Sequence, residues 1–545
     1  MAVNIPGIIG LIIFYLIILA VGILAARYKS RQVQGKASGT EQLIAAGRDI
    51  GLFVGVFTMT ATWVGGGYIN GTAEAVYAYG LAWCQAPFGY SLALILSGLF
   101  FAKKMRERRY LTMLDPFQEK YGERVGSLLF FPALSGEMFW SAAILRALGD
   151  TVAVILGLDT TLAIIISAAV AVGYTFFGGL FSVAFTDVAQ LICIAIGLIL
   201  PIPFIYNSEF VTHGPNTTAP AAWLGEVTQD YIGNWIDFYL LLILGGIPWQ
   251  VYFQRVLSSK SPAKAQILSF CAGVGCILMS IPPAVIGALA KGADWDAAGH
   301  NASVVDATPS TVLPAAIQYL TPVWVSMIGL GAVAAAVMSS ADSSVLSASS
   351  MFTHNIYRSV FRQKASDREI LWVLRISILL AGVLATLISI TVPSVYGLFV
   401  LCGDFVYVLL FPQLFSVIYI PWSNSYGVLT GCAIGLLVRL LGGEPAFDMP
   451  AGVKFPGFDE PTQTNLFPFR TLAMLLNLVL TISISYLAKF MFDRNIIPRK
   501  WDFLNAMNRP TRSDLENEQK HSTNSKSVYP MEQPSSQRFA ESKKY

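Results

Sequence analysis

Long apolar runs recur along almost the whole chain, and each is close to the length that an α-helix needs to cross a lipid bilayer. A crossing takes about 20 apolar residues, and only 13% of the 545 residues are charged. Because a backbone inside the bilayer must satisfy its own hydrogen bonds, these runs predict an all-α polytopic membrane protein. We place thirteen crossings at 6–26, 51–71, 80–102, 126–147, 160–180, 184–206, 236–255, 267–290, 312–350, 371–392, 395–419, 426–441 and 469–491.

The lysine and arginine residues are concentrated on one side of this arrangement. Clusters follow crossings one, three, seven, nine and thirteen. Positively charged loops face the cytoplasm, so the N-terminus is predicted outside and the C-terminus inside. The sequons at Asn216 and Asn301 then lie in the two longest outer loops, as candidate glycosylation sites. The polar segment 493–545 is predicted to be a disordered cytoplasmic tail.

Two crossings contain residues that interrupt a helix. Glycines 65–67 follow Trp63 after one residue, and the run Gly-Gly-Ile-Pro at 245–248 directly precedes Trp249. Glycine weakens a helix, and proline removes one of its backbone donors. The two crossings are the second and the seventh. Such a matched pair points to the binding site of a transporter built from inverted repeats, with both indoles facing the ligand.

Serine residues line one face of the ninth crossing. Ser339, Ser343 and Ser347 repeat every four residues, and Asp342 lies within one turn of Ser339. Hydroxyls beside an intramembrane carboxylate form an oxygen-rich face that suits Na+. A nearby interrupted helix would add free carbonyl oxygens. A packing seam of small residues between helices is the alternative interpretation.

Aromatic residues provide a second candidate site. Ring faces attract a quaternary ammonium group, by up to about 2 kcal/mol for each desolvated ring. Three or four rings would supply about 6–8 kcal/mol, and micromolar binding needs about 8 kcal/mol. Interfacial belts or helix packing are the alternative roles of such residues. The candidates are Trp63, Tyr90, Trp140 and Trp249, with Phe399 and Tyr407 as further members.

Several other acidic residues have more than one interpretation. Asp187 and Asp237 lie near predicted helix ends, where they could act as caps. Asp49 precedes the second crossing and could cap it or belong to an inner gate. Glu444 follows the twelfth crossing and could anchor a loop or act as an outer gate. The roles of the intramembrane acids Glu137 and Asp404 stay open.

The composition disfavours an enzyme and a metal centre. The four histidines lie outside the crossings, and the six cysteines show no metal-type pairing. No nucleophile–base arrangement or nucleotide loop is apparent, so we expect no catalytic residues. We expect the lipid bilayer as a partner and no nucleic acid. The oligomeric state, a homo-oligomer included, stays open.

Several segments resemble the sodium:solute symporter family. The similarity extends from about residue 5 to 492. It implies a LeuT-like fold of about thirteen transmembrane helices, with a first helix in 1–27, five-helix inverted repeats at 51–206 and 236–419, and two last helices at 426–492. The segments that carry it are 57–74, 174–182 with 186–187, 245–250, 253–259 and 338–350.

Within that family the segments look like the branch that carries choline. The resemblance implies choline uptake that depends on Na+ and Cl−, by alternating access across the plasma membrane. It also implies a presynaptic and synaptic-vesicle location and a role in acetylcholine synthesis. A symporter for proline or a betaine is the alternative within transporters. A ligand-gated sensor on the same fold is the alternative from another class.

The resemblance also implies residue roles. The choline cage would be Trp63, Tyr90, Trp140 and Trp249. Phe399 stands where that branch carries tryptophan, and its phenyl ring offers a weaker face to a cation. The shared sodium site would use the carbonyls of Thr60 and Trp63 together with Ala336, Ser339 and Ser340, and a further sodium site would lie near Asp342 and Ser343.

Overall fold

The computed structural model describes residues 46–177, 180–213, 220–447 and 449–507, together with parts of 5–21. In these ranges nine helical segments are long and apolar enough to cross a membrane, and one bent pair adds a tenth. The principal helices are α1 (Leu52–Trp63), α2 (Gly66–Ala78), α3 (Ala86–Ser97), α4 (Phe130–Leu156), α5 (Thr160–Phe177), α6 (Leu180–Ile199), α7 (Ile232–Gly245), α8 (Gln250–Ser258), α9 (Pro262–Ala290), α10 (Val323–Met351), α11 (Asp367–Thr391), α12 (Val395–Phe405), α13 (Phe411–Tyr419), α14 (Ser425–Leu441) and α15 (Phe469–Asp493).

Shorter elements connect or extend these helices. Three π-helical stretches continue crossings, at Gly98–Ala102, Phe352–Phe361 and Val406–Leu410. Two short antiparallel strands pair in the loop before α15, at Phe458–Asp459 and Thr464–Asn465. The short α-helices are Lys103–Glu107, Asp115–Tyr121, Glu123–Leu128, Pro201–Tyr206, Pro220–Leu224, Ala302–Ala307 and Val312–Tyr319; the 3-10 helices are Ala46–Arg48, Leu81–Trp83, Gln229–Tyr231, Pro309–Thr311, Pro445–Phe447 and Arg499–Trp501.

The first predicted interruption is present between α1 and α2. α1 ends at Trp63, α2 begins at Gly66, and their axes differ by 49°. Gly65 allows the break to lie directly against α10, since a Cβ there would be 1.5 Å from the Ser340 Oγ. Ser340 donates a 3.0 Å hydrogen bond to the carbonyl of Thr62 and so satisfies one of the acceptors at the helix end.

The second predicted interruption lies between α7 and α8. α7 ends at Gly245, α8 begins at Gln250, and Trp249 between them has extended backbone angles. Pro248 has no backbone N–H and restricts the residue before it, which explains why the helix stops. A Cβ at Gly246 would lie 2.8 Å from the Tyr90 ring, so glycine lets this break approach α3.

Helices α4 and α10 form the centre of the protein, because nearly every residue from Ala142 to Ile155 and from Gly329 to Met351 is buried. The prediction that the ninth crossing, 312–350, is one continuous helix was wrong. It divides into Val312–Tyr319 and α10 at the turn before Pro322, and α10 continues as a π-helix to Phe361.

Parts of three predictions lie outside the described residues: the first helix beyond residue 21, the sequon at Asn216 and the tail from 508 onward. The disorder predicted from 493 was wrong for 493–507. There Asp502 accepts a 2.9 Å hydrogen bond from the Tyr426 hydroxyl and further bonds from two backbone amides. The count of thirteen crossings and the bounds of the repeats stay predictions.

Candidate substrate and cation site

Five aromatic side chains from five parts of the chain meet at the two helix breaks. Trp249 is central, with ring centroids 5.3 Å from Trp140, 5.6 Å from Trp63 and 5.6 Å from Tyr90. Phe399 completes the group, at 4.9 Å from Tyr90. We call these five residues the aromatic cluster. Every sequence-predicted cage residue is therefore brought together, except that Tyr407 turns away and its hydroxyl contacts Thr471 at 3.0 Å.

The rings of the aromatic cluster nearly fill the space between them. The enclosed cavity is about 10 Å³, which is room for about one water molecule. All five side chains are buried. A trimethylammonium group therefore requires the rings to separate, and the two helix breaks are the places where the backbone can move most easily.

The cluster is tied on one side by a hydrogen bond and held on the other mainly by packing. The Tyr90 hydroxyl donates a 2.9 Å hydrogen bond to the carbonyl of Phe399, which ties α3 to α12. The Trp249 indole N–H makes no close hydrogen bond to the described residues, although its side chain interacts with the buried Glu137 carboxylate. Packing, the extended backbone and this acidic neighbour therefore position the Trp249 ring.

A buried acidic side chain that the sequence interpretation left as a possible cap contacts side chains of α1 and α10. Asp187 is inside α6 and fully buried. It accepts a hydrogen bond from the Thr58 hydroxyl and one of 2.5 Å from the Ser339 hydroxyl. We call Thr58, Asp187 and Ser339 the acid–hydroxyl cluster. The capping interpretation was wrong, because the partners of Asp187 come from α1 and α10 and not from the end of its own helix.

The remaining predicted sodium ligands lie near the acid–hydroxyl cluster or the first break. Asp342 accepts a 2.8 Å hydrogen bond from Thr175, while its other carboxylate oxygen has no partner among the described residues. Ser343 accepts a 2.5 Å hydrogen bond from Arg255. Ser339 and Ser340 have different partners. The hydroxyl of Ser339 donates to Asp187, whereas that of Ser340 donates to the Thr62 carbonyl at the first break.

Backbone oxygens at the first break lie against α10, where the sodium site is predicted. The Thr60 carbonyl accepts a 2.8 Å bond from the amide of Val64 and keeps a second lone pair. The Ala336 carbonyl faces the break, 3.5 Å from where a Gly65 Cβ would stand. The carbonyls of Thr60 and Trp63 therefore end a helix that is packed against the serine face of α10.

A larger cavity of about 460 Å³ lies on one side of the aromatic cluster, which we call the vestibule. Tyr396, Gly397 and Val400 of α12 line it, close to Phe399. Its remaining lining is rich in aromatic and charged side chains: Tyr79, Trp83, Gln85, Tyr231, Asn234, Phe238, Leu401, Asp404, Glu444, Ala446 and Arg470.

A buried ionic network forms one wall of the vestibule. Arg439 contacts Asp404 with two of its nitrogens and Glu444 at 2.5 Å, while Arg470 contacts the same two carboxylates at 3.2 Å. Glu444 is therefore held by two arginines, which matches the loop-anchor interpretation. Asp237 does act as a cap, but for α15, since it accepts the backbone N–H groups of Arg470 and Thr471.

Polar side chains close the protein at the end opposite the vestibule. Asn355 donates to Asp115 at 2.9 Å and to Gln118 at 2.8 Å. Gln250 accepts a hydrogen bond from the backbone N–H of Met113 at 2.7 Å, which joins the start of α8 to the segment between α3 and α4. The bonds of Asn355 and Gln250 thus tie the segments at this end together.

The prediction that Asp49 caps α1 was wrong. Asp49 is exposed and pairs with Lys260 at 3.0 Å.

Two interrupted helices that carry candidate binding residues, packed on two central helices, define a secondary transporter of LeuT-like fold. A profile of the sodium:solute symporter family matches residues 43–435, and the chain belongs to that family.

Curated relatives are named high-affinity choline transporter 1. The protein of that name from Drosophila melanogaster is 53% identical over 509 residues, covering 93% of this chain and 82% of the relative. The human protein is 51% identical over 518 residues, covering 93% of this chain and 89% of the relative. Both relatives match nearly the whole length of this chain.

Solved structures agree on the fold. A substrate-bound, outward-open Na+-coupled sialic acid symporter superimposes with a TM-score of 0.69 at 18% sequence identity, covering 88% of this chain and 97% of that chain. A nucleobase-cation-symport-1 family transporter gives a TM-score of 0.51 at 13% identity, covering 85% and 96%. The fold is therefore that of Na+-coupled symporters.

Proposed function

We propose that this chain transports choline across the membrane together with Na+. The observation that carries the proposal is the aromatic cluster at the two helix breaks, next to an oxygen-rich face that includes two buried carboxylates. Ring faces favour a methylated cation that has no N–H to satisfy. The names of the relatives support choline, and the family supports sodium coupling.

Sodium would bind as a co-transported ion at two neighbouring places. One is the first break, with the carbonyls of Thr60 and Trp63 and the oxygens of Ala336, Ser339 and Ser340. The other is the acid–hydroxyl cluster together with Asp342 and Ser343. Hydroxyl, carbonyl and carboxylate oxygens are suitable ligands for a hard cation, and the unpartnered oxygen of Asp342 is available for one.

The geometry connects the two ligands. Ser340 holds the break that carries Trp63, so an ion at this break stabilises one side of the aromatic cluster. Choline enters from the vestibule, and the rings separate to admit it. Closing of the vestibule and opening of the Asn355 end then release it on the other side. A tenfold Na+ gradient and about 60 mV together supply about 2.8 kcal/mol per ion, enough for about a hundredfold accumulation.

Further parts of the proposal rest on the resemblance and on charge sidedness. They are chloride dependence, a plasma-membrane and presynaptic location, a supply of choline for acetylcholine synthesis, an extracellular N-terminus and a cytoplasmic C-terminus. Asn301 is proposed as a glycosylation site. It is exposed, and its side-chain oxygen accepts bonds from the backbone and hydroxyl of Ser303.

The test is uptake of labelled choline by cells that express the chain, with Na+ replaced by Li+. We expect uptake to require Na+ and to fall at least tenfold in Trp249→Ala. The matched control is Trp324→Ala, because Trp324 is exposed on α10 away from the cluster. Saturable uptake of labelled proline or betaine, without saturable uptake of labelled choline, would instead indicate another solute. A ligand-evoked current without accumulation would indicate a sensor.

A further inference from the structure

Arg255 is a fully buried guanidinium that no step of the proposed transport yet uses. It lies on α8, six residues after Trp249, and its side chain has no exposed surface. Burial of a charge is unfavourable unless the charge is paired. The contacts of Arg255 therefore show which groups compensate for it.

Those contacts point into the proposed sodium site. Nη2 of Arg255 donates to the Ser343 hydroxyl at 2.5 Å and lies 3.8 Å from a carboxylate oxygen of Asp187. The same Asp187 binds the hydroxyls of Thr58 and Ser339. A guanidinium is thus one of the groups around the oxygens that would take Na+. Two cations that close together repel each other, so the site accommodates the ion better when the guanidinium moves away.

The structure also contains an alternative partner for Arg255. Glu137 is fully buried on α4, one turn before Trp140, and acts electrostatically on Arg255. One oxygen of Glu137 accepts a 2.6 Å bond from Ser347. The carboxylate also interacts with the Trp249 side chain, the Val251 backbone and the charge of Arg255. Nε of Arg255 makes no hydrogen bond to the described residues. A second carboxylate and a donor that could turn toward it therefore lie within one charged cluster that reaches Trp249.

We propose that Arg255 is a tethered competitor of Na+, which neutralises Asp187 when sodium is absent and moves toward Glu137 when sodium binds. Its movement would be passed to α8, whose first turn follows Trp249, and so to the aromatic cluster. Arg255 is a positioning residue in this scheme. Through it, bound sodium would change the arrangement of the aromatic cluster without contacting the rings. The inference rests on the proposed sodium site at Asp187.

The experiment measures sodium binding without transport. The purified chain in detergent is heated at increasing NaCl, with N-methylglucamine chloride holding ionic strength constant. The half-maximal Na+ concentration for thermal stabilisation is then compared among variants. We expect Arg255→Gln, which keeps hydrogen-bond donors but removes the competing charge, to lower this concentration about tenfold. We expect Glu137→Gln, which removes the alternative partner, to raise it.

Arg375→Gln is the matched control, since Arg375 lies on α11 against the rings of Phe176 and Trp372. We expect it to leave the half-maximal concentration unchanged. If Arg255→Gln lowers stability equally at every Na+ concentration without moving the half-point, Arg255 has a structural role and the inference is wrong. If that variant does not fold, an unchanged half-point in Glu137→Gln has the same meaning. Absence of any sodium effect in the unaltered protein would contradict the proposed function itself.

Discussion

The hydroxyl of Tyr90 donates a 2.9 Å hydrogen bond to the backbone carbonyl of Phe399, and this bond joins two members of the aromatic cluster across α3 and α12. Both residues are buried, so the bond fixes the distance between their rings without competition from solvent.

Removal of this hydroxyl tests whether that distance matters. Tyr90→Phe keeps the ring but removes the hydroxyl that donates to the buried carbonyl of Phe399. Loss of this hydrogen bond costs about 1 kcal/mol. We expect the KM for choline to rise about fivefold with normal surface expression. Tyr426→Phe is the control, because its hydroxyl contacts Asp502 far from the cluster. An equal effect of both substitutions would show a general loss of stability.

The ring at position 399 tests the cation–π contribution directly. A tryptophan face attracts a cation more strongly than a phenylalanine face does. We expect Phe399→Trp to lower the KM for choline by about fivefold, which corresponds to about 1 kcal/mol. The matched comparison is Phe399→Leu, which should raise it. Equal affinities in the tryptophan and leucine variants would mean that the ring does not contact the substrate.

The close approach at Gly65 tests the coupling between the first break and α10. An added Cβ would lie 1.5 Å from the Oγ and 2.3 Å from the Cβ of Ser340. We therefore expect Gly65→Ala to abolish Na+-dependent uptake, and the added change Ser340→Gly to restore folding but not sodium affinity. Gly173→Ala should be tolerated, because nothing lies within 4 Å of its added Cβ. Normal uptake by Gly65→Ala would show that the break does not pack against α10.

The ionic wall of the vestibule is expected to be a large contribution to stability. Arg439→Gln leaves Asp404 and Glu444 to share Arg470, and breaking a buried ion pair on one side costs about 3–5 kcal/mol. We expect a marked fall in the thermal unfolding midpoint. Lys454→Gln, which removes an exposed pair with Glu460, should change stability by less than about 1 kcal/mol. Similar thermal unfolding midpoints for Arg439→Gln and Lys454→Gln would show that the buried ion pairs stabilise the protein no more than the exposed one does.

Acid should destabilise the loop that contains Asn301. His300 stacks on Tyr319 at 4.5 Å and is buried, and burial lowers its pKa below the ordinary value of 6.5. The folded state keeps the ring neutral, while the unfolded chain binds a proton near pH 6.5. Stability is therefore full above that pH and declines as the pH falls below it. We expect the unfolding midpoint to drop between pH 7.5 and 5.5, and to drop less in His300→Asn than in the exposed control His213→Asn.

Local sequence patterns were sufficient for most of the helices, the two breaks and the aromatic candidates, but not for the division of the ninth predicted crossing before Pro322. Glycine and proline act on the backbone where they occur, so the ends of α1 and α7 follow from residues 65 and 248. The tryptophans next to them could be selected for the same reason. The serine face of α10, where we propose a sodium site, was also visible in the sequence, because its serines repeat at helical spacing.

The partners of the buried charges could not be predicted in this way. Asp187 looked like a cap, yet it is satisfied by Thr58 and Ser339, from helices 129 and 152 residues away along the chain. Arg255 had no assigned role, and Asp404 stayed ambiguous until Arg439 was placed beside it. Periodicity determines which face of a helix is polar, but only the packing of helices decides which distant group that face meets.

The order of residues is enough to predict a membrane-spanning helical chain with two interrupted crossings and aromatic residues at the interruptions. Packing of the helices is what brings five rings into one nearly filled cluster and sets the buried Glu137 carboxylate between Trp249 and Arg255. Helix formation and helix breaking are local, whereas neutralisation of a buried charge depends on neighbours that only the folded bundle brings within hydrogen-bond distance.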